Sequence, residues 1–301
     1  MKTAFLLFLI ALSTLGGKAF TKLCSNAVTH GSRVRYLLYL IVNASVACLF
    51  FWISGGFSVA VNPLTLLYGF LYALVVLLSL VSSLLIYRYA TVAGVNIISS
   101  LLSLFASVSI GLAVFGESLD PTKIIRILVM TVATAFIFLD ARRDRANGER
   151  TEGRRRRLAF LALLAVTLLV LVANALIVKS FTLSSRVTDE NSFFFLTNAV
   201  MILLLLPLLA WMAFRNRAEF RSSLSLLRAR SLLVLSGNTV CSNVGSLAGI
   251  WLMAEIDLSV YTPITSAIGV LSGVVGSLLF RERLGVFSYL AAAVAALAVL
   301  L

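Results

Sequence analysis

Apolar residues run in long blocks along this chain, and polar residues gather in short breaks between them. A helix needs about 20 mostly apolar residues to cross the hydrocarbon core of a bilayer, since it rises about 1.5 Å per residue. Ten blocks approach that length, at roughly 3–22, 36–54, 63–86, 90–115, 121–139, 158–178, 193–214, 231–254, 258–280 and 285–301. The breaks leave no room for a soluble domain. The pattern predicts an all-α integral membrane protein of ten transmembrane helices.

The pattern also repeats. Phe115-Gly116-Glu117-Ser118-Leu119 closes the fourth block, and Phe280-Arg281-Glu282-Arg283-Leu284 closes the ninth, 165 residues later. At that offset Ser107 falls on Ser272 and Gly111 on Gly276. A second echo carries Lys18-Ala19-Phe20-Thr21 onto Lys179-Ser180-Phe181-Thr182, at an offset of 161. The expected division is therefore a first five-helix repeat over 1–140, a basic linker over 141–157 and a second five-helix repeat over 158–301. Five is odd, so the second half enters the membrane from the opposite side and the repeats are inverted. The linker is polar and mixed in charge, without apolar periodicity. It reads as a solvated topology marker, with contact to anionic headgroups as the weaker alternative.

Composition agrees with lipid as solvent. Of the 301 residues 60% are hydrophobic and 12% charged, too few polar groups to cover such a core in water. The net charge of +13 does not point to nucleic acid, because it marks orientation: cytoplasmic loops are enriched in Lys and Arg. Of the 25 basic residues, only Lys2, Lys123, Arg126, Lys179 and Arg186 fall on one face. The other face holds eight arginines between Arg142 and Arg157 and five between Arg215 and Arg230. The 140–157 and 215–230 loops are thus expected in the cytoplasm of a multi-pass cell-membrane protein, with both termini outside. The first 20 residues mimic a secretory signal, but the repeated Lys-small-Phe-Thr argues that this helix stays in the fold. Cys24, Cys48 and Cys241 lack metal or redox spacing and read as small packing residues. His30 reads as a solvated loop residue.

Candidate chemistry narrows to polar positions inside the blocks. In the fourth, Asn96, Ser100, Ser103, Ser107 and Gly111 recur at three- and four-residue steps and share a face. Their counterparts in the ninth are Tyr261, Thr265, Ile268, Ser272 and Gly276. Such faces serve close helix packing or line a wet cavity. Packing suits the Gly111 and Gly276 ends, and a cavity suits the Asn96 and Tyr261 ends. Asn238 is a further lining candidate, because an unpaired amide in lipid is costly. Tyr72 reads as either an interfacial anchor or a substrate-facing ring. The expected solute-binding residues are Asn96, Ser100, Tyr261, Thr265, Asn238 and Tyr72. Pro207 interrupts the seventh block and Pro263 the start of the ninth. Lys18, Lys22 and Lys179 are expected to snorkel to the interface, with attraction of an anionic group as the sharper reading for Lys18 and Lys179. Glu117 and Glu282 are expected to pair with bases or cap the next helix. No metal spacing, phosphate-cradling loop or acidic diphosphate site occurs, so neither enzyme chemistry nor a cofactor is expected.

Two five-helix halves, each with a fourth helix ending near Phe-x-Glu-x-Leu, resemble the EamA-type members of the drug/metabolite transporter superfamily. The C-terminal match is the fuller one, with Pro263, Glu282, Arg283-Leu284 and a small-residue last helix from Tyr289 to Leu301. The resemblance implies a carrier of small metabolites, amino acid-like or otherwise, working by alternating access. It departs where Ile98 stands opposite Pro263 and where the first helix lacks a buried glutamate, which argues against drug/proton antiport. The expected partners are a small-molecule solute and the lipid bilayer. Ala291, Ala292, Ala293, Ala295 and Ala296 suit a homodimer contact as well as internal packing. A flippase for a lipid-linked substrate is the alternative, and a polytopic enzyme or structural partner a distant third.

Overall fold

The computed structural model describes residues 2–28, 33–86, 106–118, 120–146, 154–184, 189–279 and 286–300. All regular structure among them is helical. The helices are α1 (Lys2–Val28), α2 (Arg33–Ser54), α3 (Pro63–Ile86), α4 (106–113), α5 (Pro121–Ala146), α6 (Arg154–Leu183), α7 (Glu190–Arg215), α8 (Arg217–Ser223), α9 (Ala229–Glu255), α10 (Leu258–Leu279) and α11 (Val286–Leu300). A 3-10 turn, Leu224–Leu227, follows α8. Among the described residues three segments are long and apolar enough to cross a membrane: Val34–Ser54, Ala165–Leu183 and Glu190–Arg215. Shorter apolar helices lie at Lys2–Gly17, Pro63–Ser79 and Leu258–Ser272.

The surface of these helices explains why water is the wrong solvent. On α7, Leu205 and Leu209 are buried while Leu203, Leu204, Leu206 and Leu208 are exposed, so the helix is apolar all round. A helix of that kind needs an apolar medium on its outer side. Its hydroxyls and amides turn back on their own backbone. Thr197 Oγ1 donates to the Phe193 carbonyl at 2.9 Å and Asn198 Nδ2 to that of Phe194 at 2.8 Å. Thr14, Ser45, Thr131 and Thr167 do the same four residues back on other helices.

The chain forms two compact units, and each joins two separate stretches of the sequence. The first comprises Met1–Leu74 with Leu183–Trp251, and the second Val75–Thr182 with Leu252–Leu301. In the first unit α2 packs along α7. Ser54 bonds Asn191 at 2.6 Å, the Phe51 ring stacks on Phe194 with centroids 4.8 Å apart, and Cys48 Sγ donates to the Phe195 carbonyl at 3.6 Å. The register rises on one helix as it falls on the other, so the pair is antiparallel. Asp189 caps α7: its carboxylate accepts from the Ser192 N–H at 2.9 Å and from the Ser192 hydroxyl at 2.8 Å. The same hydroxyl accepts from the Ala60 N–H at 2.9 Å and ties down the loop after α2. That loop begins in a reversed turn, with positive φ at both Gly56 (68°) and Phe57 (61°) and the Phe57 N–H reaching back to the Trp52 carbonyl. Helix α9 lies against α1 through small residues: a Cβ on Gly245 would come within 2.5 Å of Ser13 Oγ.

In the second unit α5, α10 and α11 share a small-residue core of Met130, Ala133, Ala267 and Ala295. The Phe136 and Phe287 rings stack at 6.3 Å. Phe136 lies past Ala133 on α5, whereas Phe287 lies before Ala295 on α11, so this pair is antiparallel too. Ala291 and Ala295 are fully buried.

Candidate functional site

The described residues concentrate their buried charge at one turn of the second unit, between α9 and α10. Helix α9 ends at Glu255 and α10 starts at Leu258, so the turn holds an orphaned set of carbonyls on one side and of N–H groups on the other. Lys179, on α6, is 6% exposed. Its ammonium donates to the carbonyls of Met253 at 2.8 Å and Ile256 at 3.0 Å, supplying positive charge where the α9 dipole is negative. Glu117 does the converse for α10. Its two carboxylate oxygens accept from the N–H groups of Leu258 at 2.7 Å and Ser259 at 2.9 Å. The next two donors, on Val260 and Tyr261, reach the Asp257 carbonyl.

Lys123 completes the cluster. It is 6% exposed, donates to the Ser118 carbonyl at 2.8 Å and pairs with Asp257 Oδ2 at 2.5 Å. Two lysines and two carboxylates thus sit together with no net charge, and the two buried ammonium groups are each hydrogen-bonded, which is how charge is tolerated away from water. The Ser259 hydroxyl is buried there without a hydrogen-bond partner among the described residues.

Local sequence explains how Glu117 reaches α10. Helix α4 ends in a widened turn: the Phe115 N–H bonds the Ile110 carbonyl and the Glu117 N–H that of Gly111. Gly116 takes φ of +64°, a conformation that costs glycine little. The carboxylate then folds back over Gly111, where a Cβ would stand 2.5 Å from Glu117 Oε2.

The residues expected to bind solute are distributed as follows. Asn96 and Ser100 lie outside the described residues. Tyr72 and Asn238 belong to the first unit, Tyr261 and Thr265 to the second. Tyr72 is set among aromatic rings, 5.3 Å from Phe193 and 6.3 Å from Phe194 between centroids. Asn238 is half-buried on α9, beside Thr239, whose hydroxyl bonds Asn43 Oδ1. Tyr261 closes the first turn of α10, and Thr265 Oγ1 donates to its carbonyl at 3.0 Å. The charged turn therefore fixes the start of the helix that carries both. Glu282, Lys18 and Lys22 have no described side-chain placement. Among the described residues no three of His, Cys, Asp and Glu come together as a metal site.

Sequence reasoning named Glu117 and Lys179 but gave them different duties. Glu117 caps α10 rather than α5, the next helix in the chain, and the Lys179 ammonium is anchored on two backbone carbonyls. Asp257 and Lys123 were not foreseen as a pair. Their signal was the acidic break Glu255-Ile256-Asp257 between two apolar blocks, because a carboxylate at the end of an apolar helix calls for a basic partner.

No family of known proteins matches the sequence, and no curated protein does. Solved structures do match, 25 chains in all. One, described as the crystal structure of a protein, aligns with a TM-score of 0.64 at 14% identity, covering 97% of this chain and 96% of its own. That likeness establishes a shared fold across nearly the whole length.

Proposed function

We propose that the chain is a secondary transporter of the EamA type, with ten transmembrane helices arranged as two inverted five-helix repeats and a small metabolite as cargo. The observation that carries the reading is which helices pair. The second helix of each expected half, α2 and α7, pack antiparallel in one unit. The last helix of each, α5 and α11, pack antiparallel in the other. Copies related by a two-fold axis in the membrane plane meet their own counterparts head to tail. The sequence echoes at Glu117 and Glu282 support the same relation, and the three long apolar segments support the bilayer.

Such a carrier alternates between inward- and outward-open states, and the solute shifts that equilibrium by binding the two differently. In this reading Asn96, Ser100, Tyr261, Thr265, Asn238 and Tyr72 handle the solute. The protein is a carrier in the cell membrane, not an enzyme, with the basic 140–157 and 215–230 segments cytoplasmic. Reconstituted vesicles should take up at least one class of labelled metabolite faster than protein-free vesicles. Asn96→Ala and Tyr261→Phe should slow that uptake with folded yield retained. Normal uptake by both variants would remove the residue assignment, and no uptake of any solute would remove the carrier.

One observation favours a flippase as the second reading. An apolar groove of about 480 Å³ is lined by Ala106, Ser109, Ile110, Ala113, Val114, Leu168 and Val172, a lining suited to an acyl chain. Lipid scrambling without uptake of any soluble solute would decide for it.

A further inference from the structure

We infer that residues 215–228, directly after α7, form a docking surface for the anionic phospholipid headgroups of the bilayer. The inference rests on the membrane reading of α7 and is independent of transport. Arg215, Arg217, Arg221 and Arg228 are all exposed. The single acid of the segment, Glu219, accepts a hydrogen bond from Asn216 Nδ2 at 3.1 Å. The segment was expected to be a loop, but it is a short helix and a 3-10 turn with two distinct sides. Ser223 and Leu226 are 1% and 0% exposed, and this inner side packs on α2. Arg217 and Arg221 stand one turn apart on α8 and share a side, and Leu224 and Arg228 continue the exposed surface through the 3-10 turn.

Headgroup contact explains the apolar residues among the cations. Leu224 and Leu227 are exposed beside the arginines, as are Trp211 and Phe214 at the end of α7. The Arg215 guanidinium lies over the Trp211 ring, 5.4 Å from its centroid. Tryptophan at the end of an apolar span sits at headgroup depth. That places the arginines where phosphodiesters are dense, with the leucines able to dip toward the acyl boundary. Nucleic acid would leave those leucines against water. A second copy presenting the same face would set cation against cation.

The test uses the full chain purified in a neutral detergent. Dioleoylphosphatidylglycerol, dioleoylphosphatidylcholine or inorganic phosphate is added, the thermal unfolding midpoint is read, and bound lipid is counted by native mass spectrometry. Phosphatidylglycerol should raise the midpoint and remain bound; phosphatidylcholine and inorganic phosphate should not raise it. The shift should shrink in about 0.5 M salt, where screening acts within about 4 Å. The variant Arg215→Gln, Arg217→Gln, Arg221→Gln, Arg228→Gln should lose more than half of the shift and of the bound lipid. Arg221→Gln and Arg228→Gln alone, read by bound lipid at low temperature, give the answer if the fourfold variant folds poorly. A variant neutralising Arg154, Arg155, Arg156 and Arg157 should keep the shift. Full retention by the 215–228 variants overturns the proposal, as does equal loss in the 154–157 variant or an equal shift with inorganic phosphate.

Discussion

Glu117 shows how one side chain can be chosen by a glycine six residues earlier. Its carboxylate occupies the space that a Cβ on Gly111 would fill, and it holds two N–H groups of α10. Hydrogen bonds to a charged group contribute about 1.5–3 kcal/mol each. Glu117→Ala should therefore lower unfolding stability by about 2 kcal/mol or more, read as a lower thermal midpoint in detergent. Gly111→Ala should cost a similar amount, because the added methyl must expel the carboxylate. The two penalties should not add: the double variant should be about as unstable as either single one. Additive losses would mean that Gly111 packs against something else. The sequence made Glu117 visible, through its echo at Glu282, and made a capping duty reasonable. It did not reveal which helix is capped. That depends on α4 and α10 being neighbours in space, and residues 141 positions apart give no periodic signal of contact.

The turn between α9 and α10 makes the same point about helices. Apolar periodicity placed most helix bodies within a few residues, because burial in lipid or protein selects the same side chains along the whole length. It missed α8, whose seven residues are too few and too charged to register as an apolar block. It also left open how the ends of α9 and α10 are satisfied. Lys179 from α6, Glu117 from the end of α4 and Lys123 from α5 all converge there. Lys123 is buried, whereas its partner Asp257 is 48% exposed. Removing only the acid strands a buried ammonium, and removing both does not. Asp257→Asn should thus destabilise the protein more than the pair Lys123→Met, Asp257→Asn, by about 1 kcal/mol or more. Comparing unfolding midpoints of the three proteins checks the order, and a double variant worse than the single one would contradict it.

The paired helices also carry a statement about the entire chain. Antiparallel contact between α2 and α7, and between α5 and α11, follows if one half is the other turned over in the bilayer. Helices that were merely neighbours would pair across the halves without respect to their order. The inverted relation makes a demand on the loops as well. If the halves are inverted copies, the loop after α2 and the segment after α7 are counterparts and face opposite compartments. Ser58 and Ser222 are exposed in these two places and lie in the same compact unit, so labelling at both reports on one body. With Cys24, Cys48 and Cys241 replaced by alanine or serine, Ser58→Cys and Ser222→Cys should react with a membrane-impermeant thiol reagent from opposite sides. Ser222 should label from the cytoplasmic side, as the arginines around it require. Reaction of both from one side would undo the inverted repeat. The two-state exchange on which the transport proposal depends would then have no symmetric partner state to reach.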